Sequence, residues 1–297
     1  MTRPLAITAW MCATLIALIS HPALAQNEGA DSSKDGGGER VLDVMRQQHD
    51  SVPLNVHVGY GGGELMVRPA PVGVLFAAHC VYGDESDVPK ISFDPGAHRL
   101  NIGGEGGNGN VSIHMRTASF SGSANSGDMR LELSPYVPLD LKLEFGAAEA
   151  TLQLGGLAIR QLEVATGASS TMLRFDSPNE MAMQNLSLHL GAASFRATGL
   201  ANARAREIEV NAGAGSADLD FGGRWTDDIR LDLSAAVGAI HVHVPADVAV
   251  ISDVKAVLGD VDSDVAHNPA NAAHHLAIYG KATMGSIEVD RSVGGSD

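Results

Sequence analysis

The residues of this sequence with the most obvious chemical potential are histidines, carboxylates and one cysteine. The apolar run Val74–Val81 carries His79 and Cys80 side by side. An imidazole there would act as a general base only beside a nucleophilic serine in a glycine-rich turn that also builds an oxyanion hole. Gly-Asp-Ser-Gly-Gly is absent, and the nearest fragment, Ser126-Gly-Asp128, has the wrong order. The run reads as a buried strand that happens to carry both residues. His241 and His243 sit two apart, so on a strand they project from one face, a spacing that can chelate zinc or copper. Val242 between them faces the core, so both imidazoles face solvent, and no third ligand is placed by the sequence. His274 and His275 are adjacent and point to opposite sides. The run Asp260-Val-Asp-Ser-Asp264 has calcium-loop spacing but lacks the glycine and the closing bidentate carboxylate of an EF-hand. Its alternation puts the carboxylates on the solvated side of a strand, where they also discourage edge pairing. Gly61–Gly63 and Gly103–Gly107 open no helix and precede no Gly-Lys-Ser/Thr, so they are turns rather than phosphate cradles. No catalytic or cofactor-binding residue is assigned.

The elements that carry these residues are strands broken at glycines. Ile208, Val210 and Ala212 alternate at even positions; beyond the glycines Leu219 and Phe221 alternate at odd ones. Leu231, Leu233 and Val237 are odd, while Ile240, Val242 and Val244 are even. Such a change of parity is expected where a strand bends at a glycine and keeps one face on a core. The pattern recurs around Gly146, Gly167, Gly191, Gly215, Gly238, Gly259 and Gly285, including Val254 and Leu258 before Gly259. No comparable stretch has a helical period, so the chain is all-β. Repeats of this length predict a β-solenoid with glycine corners, each repeat a coil stacked on the last. The alternative is an antiparallel β-sandwich.

Arg3, the apolar stretch Leu5–Ile19 and Ala23-Leu24-Ala25 predict a signal peptide over residues 1–25, cleaved before Gln26. Cys12 would leave with it, so Cys80 would remain as a lone thiol. Residues 26–50 read as a flexible leader, with two helical turns at most over Val41–Gln48. An N-terminal β unit follows over 51–103, a glycine-rich linker over 104–110, repeats over 111–290 and a tail over 291–297. No second long apolar run follows the signal, so no stable membrane span is expected after cleavage. The net charge of −15 argues against nucleic acid and anionic lipid as partners. Aromatic residues make up only 4%, few for a carbohydrate-stacking or protein-binding surface.

Several segments together resemble a known family. They are Gly61-Gly-Gly-Glu-Leu-Met-Val67, Val74-Leu-Phe76, Val88-Pro-Lys-Ile-Ser-Phe93, Pro138-Leu-Asp-Leu-Lys-Leu143, Leu200-Ala-Asn-Ala203, Gly213-Ala-Gly215, Leu219-Asp-Phe221 and Val237–Pro245. In this order and spacing they resemble the toastrack family of exported or membrane-tethered bacterial proteins, related to adhesin-like β-solenoid domains. The resemblance implies a right-handed single-stranded β-solenoid outside the cytoplasm, in the periplasm or at the cell surface, with no catalytic residues and no cofactor. Some relatives belong to membrane proteins of envelope stress responses; this chain departs from them in having no later transmembrane segment. The expected function is a non-enzymatic binding or scaffold protein of the bacterial envelope, engaged in sensing or adhesion. Its partner would be another envelope protein or a surface component. The alternatives are a secreted hydrolase and a histidine-based metal-binding protein.

Overall fold

The computed structural model describes residues 39–83, 88–103, 126–263 and 268–292. The chain divides into residues 1–36 and 37–297, and every described residue lies in the second unit. The expected signal peptide and the glycine-rich linker at 104–110 fall outside the described residues.

The N-terminal end is built from β1 (Arg40–Gln47), β2 (Leu54–Pro69), β3 (Val74–Tyr82), β4 (Lys90–Asp94), β5 (Arg99–Gly103) and β6 (Ser126–Leu133). β1 pairs antiparallel with β3, and β3 antiparallel with β6. β4 pairs antiparallel with β5, which lies parallel to the first half of β2. Residues 26–38 of the expected leader lie outside the described residues; residues 40–47 are strand, which corrects the helical reading of Val41–Gln48. The reason is an alternation of period two. Leu42 and Val44 pack against the core while Val41 and Met45 face solvent, and the whole segment completes a ladder on β3.

β7 (Leu139–Gln153) runs parallel to β2 along most of its length. It passes through a corner: Leu139, Leu141, Leu143 and Phe145 are buried before Gly146, and Ala148, Ala150 and Leu152 after it. Later coils break into two strands at this corner. They are β8 (Ile159–Thr166) with β9 (Ser170–Arg174), β10 (Asn185–Leu190) with β11 (Ser194–Thr198), β12 (Glu207–Ala212) with β13 (Ser216–Asp220), and β14 (Ile229–Ala235) with β15 (Ala239–Pro245). Successive coils pair in parallel on both faces, which is the solenoid and not the antiparallel sandwich. The registers stack like on like. Leu141, Leu162, Leu186, Ile208 and Leu231 form one buried column, and Leu152, Leu173, Ala197, Leu219 and Val242 another. A single coil cannot bury its apolar face alone; the column does so jointly.

The last coils depart from sequential stacking. β16 (Ala249–Ala256) and β17 (Asp260–Ser263) do not lie on β14 and β15. Instead β18 (His275–Ala282) lies between β14 and β16, and β19 (Ser286–Ser292) between β15 and β17. The inward residues explain the order. β18 presents Leu276 and Ile278, fully buried, whereas β16 presents Val250, Ser252, Val254 and Ala256. The more apolar coil takes the two-sided position and the weaker one caps the stack. Val237 and Leu258, expected to follow the core parity, stand at corners and are 56% and 74% exposed.

Asparagines latch the connections between coils. Asn179 is fully buried; its side chain accepts from the Ile159 amide and donates to the carbonyls of Ile159 and Met181. Asn268 makes the same two-way bond to the backbone of Val250.

Candidate functional site

Because coils stack in register, outward side chains form rows across the sheet. One row runs His57, Lys142, Glu163, Ser187, Glu209, Asp232, Tyr279. Its far half, with the flanking pairs Glu207–Arg230 and Asn211–Ser234, lines a groove of about 880 Å³ over β10, β12, β14 and β18. The Arg230 guanidinium donates to both Asp232 oxygens at 2.7 Å and lies 4.2 Å from the centroid of the Tyr279 ring. The bond to the Asp232 carboxylate raises the Arg230 pKa above its ordinary value. Asn211 donates to Glu209 Oε1 at 2.7 Å. The groove therefore offers carboxylates, amides, hydroxyls, a guanidinium and the Lys281 amine, with one aromatic ring under the guanidinium.

The near half of the row is a closed ionic cluster. On β7 the Leu143 side chain is fully buried in the core, and the next residue, Glu144, points to the other side yet is only 3% exposed. His57 Nε2 lies 2.7 Å from Glu144 Oε2, and Lys142 Nζ bridges Glu144 at 3.1 Å and Glu163 at 3.2 Å. Burial alone would raise the Glu144 pKa, but the bonds to His57 and Lys142 outweigh it and hold the carboxyl below its ordinary value. Burial likewise works against charge on Lys142, and the two carboxylates overcome it and raise its pKa. The cluster is a satisfied ionic network.

A family comparison reaches the near half of the row and stops short of Glu209, Asp232 and Tyr279. Residues 34–196, just over half of the chain, match the family described as the N-terminal domain of toast_rack, DUF2154. The chain belongs to the toast-rack family. A search of the curated proteins found no match. Among solved structures, the chain is similar to a Clostridium sporogenes protein provisionally assigned to cell adhesion. The two are 14% identical with a TM-score of 0.40, over 85% of this chain and 100% of that one.

This toast-rack chain distributes the sequence candidates over separate places. His241 and His243 face outward from β15, as their alternation with Val242 requires. Each meets carboxylates of neighbouring coils: His241 Nδ1 lies 3.1 Å from Glu288, and His243 lies 3.0 Å from Asp218 and 2.5 Å from Asp290. Among the described residues no group of three or more His, Cys, Asp or Glu side chains is placed to hold a metal ion. His79 Nδ1 lies 2.6 Å from Asp43 Oδ1 on the outer side of β3, and Cys80 points inward, 1% exposed. The hollow beside His79 is lined by β1 and β3 with Arg130 and Glu132, and no serine, threonine or cysteine contributes to it. Asp260 and Asp262 lie on the outermost strand, β17, and Asp264 falls outside the described residues.

Of the seven corner glycines, Gly191, Gly215, Gly238, Gly259 and Gly285 each stand against a backbone oxygen of another coil, so close approach matters more than backbone sign. Among them only Gly215 has a positive φ, 140°. A Cβ on Gly191 would stand 2.8 Å from the Gly167 oxygen, and one on Gly259 only 1.8 Å from that of Gly285. Sequence reasoning missed the groove. Its residues were legible as outward positions, but which of them share a row depends on registers that skip from β14 to β18.

Proposed function

We propose that this chain is a non-enzymatic binding module of the bacterial cell envelope, and that its groove holds an extended, hydroxyl-rich polymer such as a surface polysaccharide. The observation that carries this reading is the lining of the groove: Ser187, Glu207, Glu209, Asn211, Asp232 and Ser234, with Arg230 laid over Tyr279. Planar carboxylates, amides and guanidinium groups bond pairs of hydroxyls, whereas an apolar peptide or lipid would leave these groups desolvated and unpaired. Stacked coils repeat such groups at a strand spacing of about 4.8 Å, which suits a ligand that also repeats. The excess of acidic residues favours a neutral polymer over an anionic one. Location outside the cytoplasm rests on the signal-like residues Leu5–Ile19 and Ala23-Leu24-Ala25. Among the described residues no helix is long and apolar enough to cross a membrane.

The test is affinity electrophoresis through gels containing purified envelope polysaccharides. At least one neutral polymer should retard the native chain, and Glu209→Gln with Asp232→Asn should abolish the retardation. Unchanged mobility in every gel, or equal retardation of the variant, would overturn the reading. Shortened polymer recovered from the gel would move it to the hydrolase class.

A further inference from the structure

We propose that the outer edge of β16 is a self-complementary docking strand through which two copies of this chain pair antiparallel about Val254. Among the described residues β16 pairs with β18 on one side and with no strand on the other. The ladder fixes which groups are free. Ala249 and Val257 donate toward β18, to His274 and Ala282, so odd-numbered residues face β18. Even-numbered residues face the open edge, and the first of them, Val250, is bonded to the Asn268 side chain. The amides and carbonyls of Ser252, Val254 and Ala256 therefore remain for a new strand.

The side chains of this edge match a second copy of themselves. A twofold axis at Val254 sets each residue against the one equally far on the other side. Asp253 then meets the partner copy's Lys255, Ile251 meets its Val257, and Ser252 meets its Ala256. Asp253 and Lys255 pair with each other at 3.3 Å along the strand and remain 60% and 79% exposed, and Ile251 and Val257 are 56% and 62% exposed. All four lie on the edge coil, where a second copy would cover them. The register also puts even residues opposite even residues, as the free backbone groups require. Neighbouring registers fail on charge: an axis at Asp253 opposes two aspartates and an axis at Lys255 opposes two lysines, and like charges directly opposite are destabilising. The other strand of the coil cannot replace β16. A copy of β17 would bring Asp260 and Asp262 against further carboxylates. A closed pair about a twofold axis also ends growth, whereas an unmatched edge would invite open-ended association.

Sedimentation velocity on the native chain over a concentration series tests the inference. A monomer–dimer equilibrium is expected. Asp253→Lys and Lys255→Asp, each alone, should raise the dissociation constant about tenfold, because each turns two attractive contacts into repulsive ones. The double exchange Asp253→Lys with Lys255→Asp should restore it. Amide exchange on the native chain gives an independent readout. Protection at Ser252, Val254 and Ala256 should rise with concentration, while the odd-numbered amides of β16 should not change. A native chain that stays monomeric, or a dimer indifferent to the single exchanges, would overturn the proposal. So would exchange at the three amides that ignores concentration, including the case where an unlike strand occupies the edge.

Discussion

Gly285 rests directly on Gly238: a Cβ on Gly285 would lie 2.1 Å from the Gly238 carbonyl oxygen. Gly238 in turn rests on Gly215, where the same construction gives 2.5 Å, and Gly215 on Ala193, at 2.0 Å. The corner column is held together by backbone bonds from coil to coil, such as Ser286 N to Gly238 O and Ala239 N to Gly215 O. A side chain in this column must push two coils apart.

Gly238→Val and Gly285→Ala should therefore each cost about 1–3 kcal/mol, the range for overpacking a close-packed site. Gly215→Val should cost at least as much, since its positive φ adds backbone strain. The control His241→Gln, on the exposed face, should stay within about 0.5 kcal/mol. Urea midpoints compared across the four variants measure this.

Asn179→Ala should cost about 1–3 kcal/mol, because it leaves the Ile159 amide and carbonyl without the partner that satisfies them. Asn179→Asp should also destabilise, since a carboxylate cannot donate to the Ile159 and Met181 carbonyls. Thermal unfolding of both variants is the measurement.

Cys80 should label slowly with a thiol reagent at neutral pH and fast only after denaturant is added. It is 1% exposed, and burial, with the Asp43 charge adding to it, pushes its thiol up to about 11. Little thiolate is present at neutral pH, and little of the sulfur is accessible.

The Glu144 network predicts a specific acid dependence. The folded carboxyl sits below its ordinary value, so its contribution is present above the unfolded pKa and is lost as pH falls through the folded one. Lys142 gives the opposite sign: its raised pKa keeps its contribution through neutral pH and loses it only as pH rises beyond the ordinary lysine range. Denaturant stability of native chain and Glu144→Gln should differ most at neutral pH, and the two should converge below about pH 4.

The fold was legible because a period of two leaves little choice about which side chains enter the core. The alternation of Leu139–Phe145 and the parity change beyond Gly146 led to β7 and its corner. Three features were not legible, each for its own reason. Residues 40–47 resembled a short helix because so short a segment rarely separates the two periods, and only pairing with β3 decides between them. The glycines suggested unusual backbone angles, whereas most are required by an oxygen of another coil. The groove needed the register of β14 against β18, set by residues 47 positions apart in pairs such as Leu231 with Ile278.

The order of the last coils has a consequence for synthesis. On a ribosome, the segment that becomes β16 emerges before β18, yet β18 is the only described strand it pairs with. Each earlier coil can settle on one already made. This one must wait, with Val250 and Val254 uncovered, until Ser286–Ser292 has followed β18 out and the inner place is filled. Closure at this end is thus a late and non-local event, slow relative to the coil-by-coil growth that precedes it. A nascent chain halted at Asn271 would hold its outer cap with nothing beneath it. The completed solenoid would owe this step to β18 and β19, which are translated after the strand they underlie.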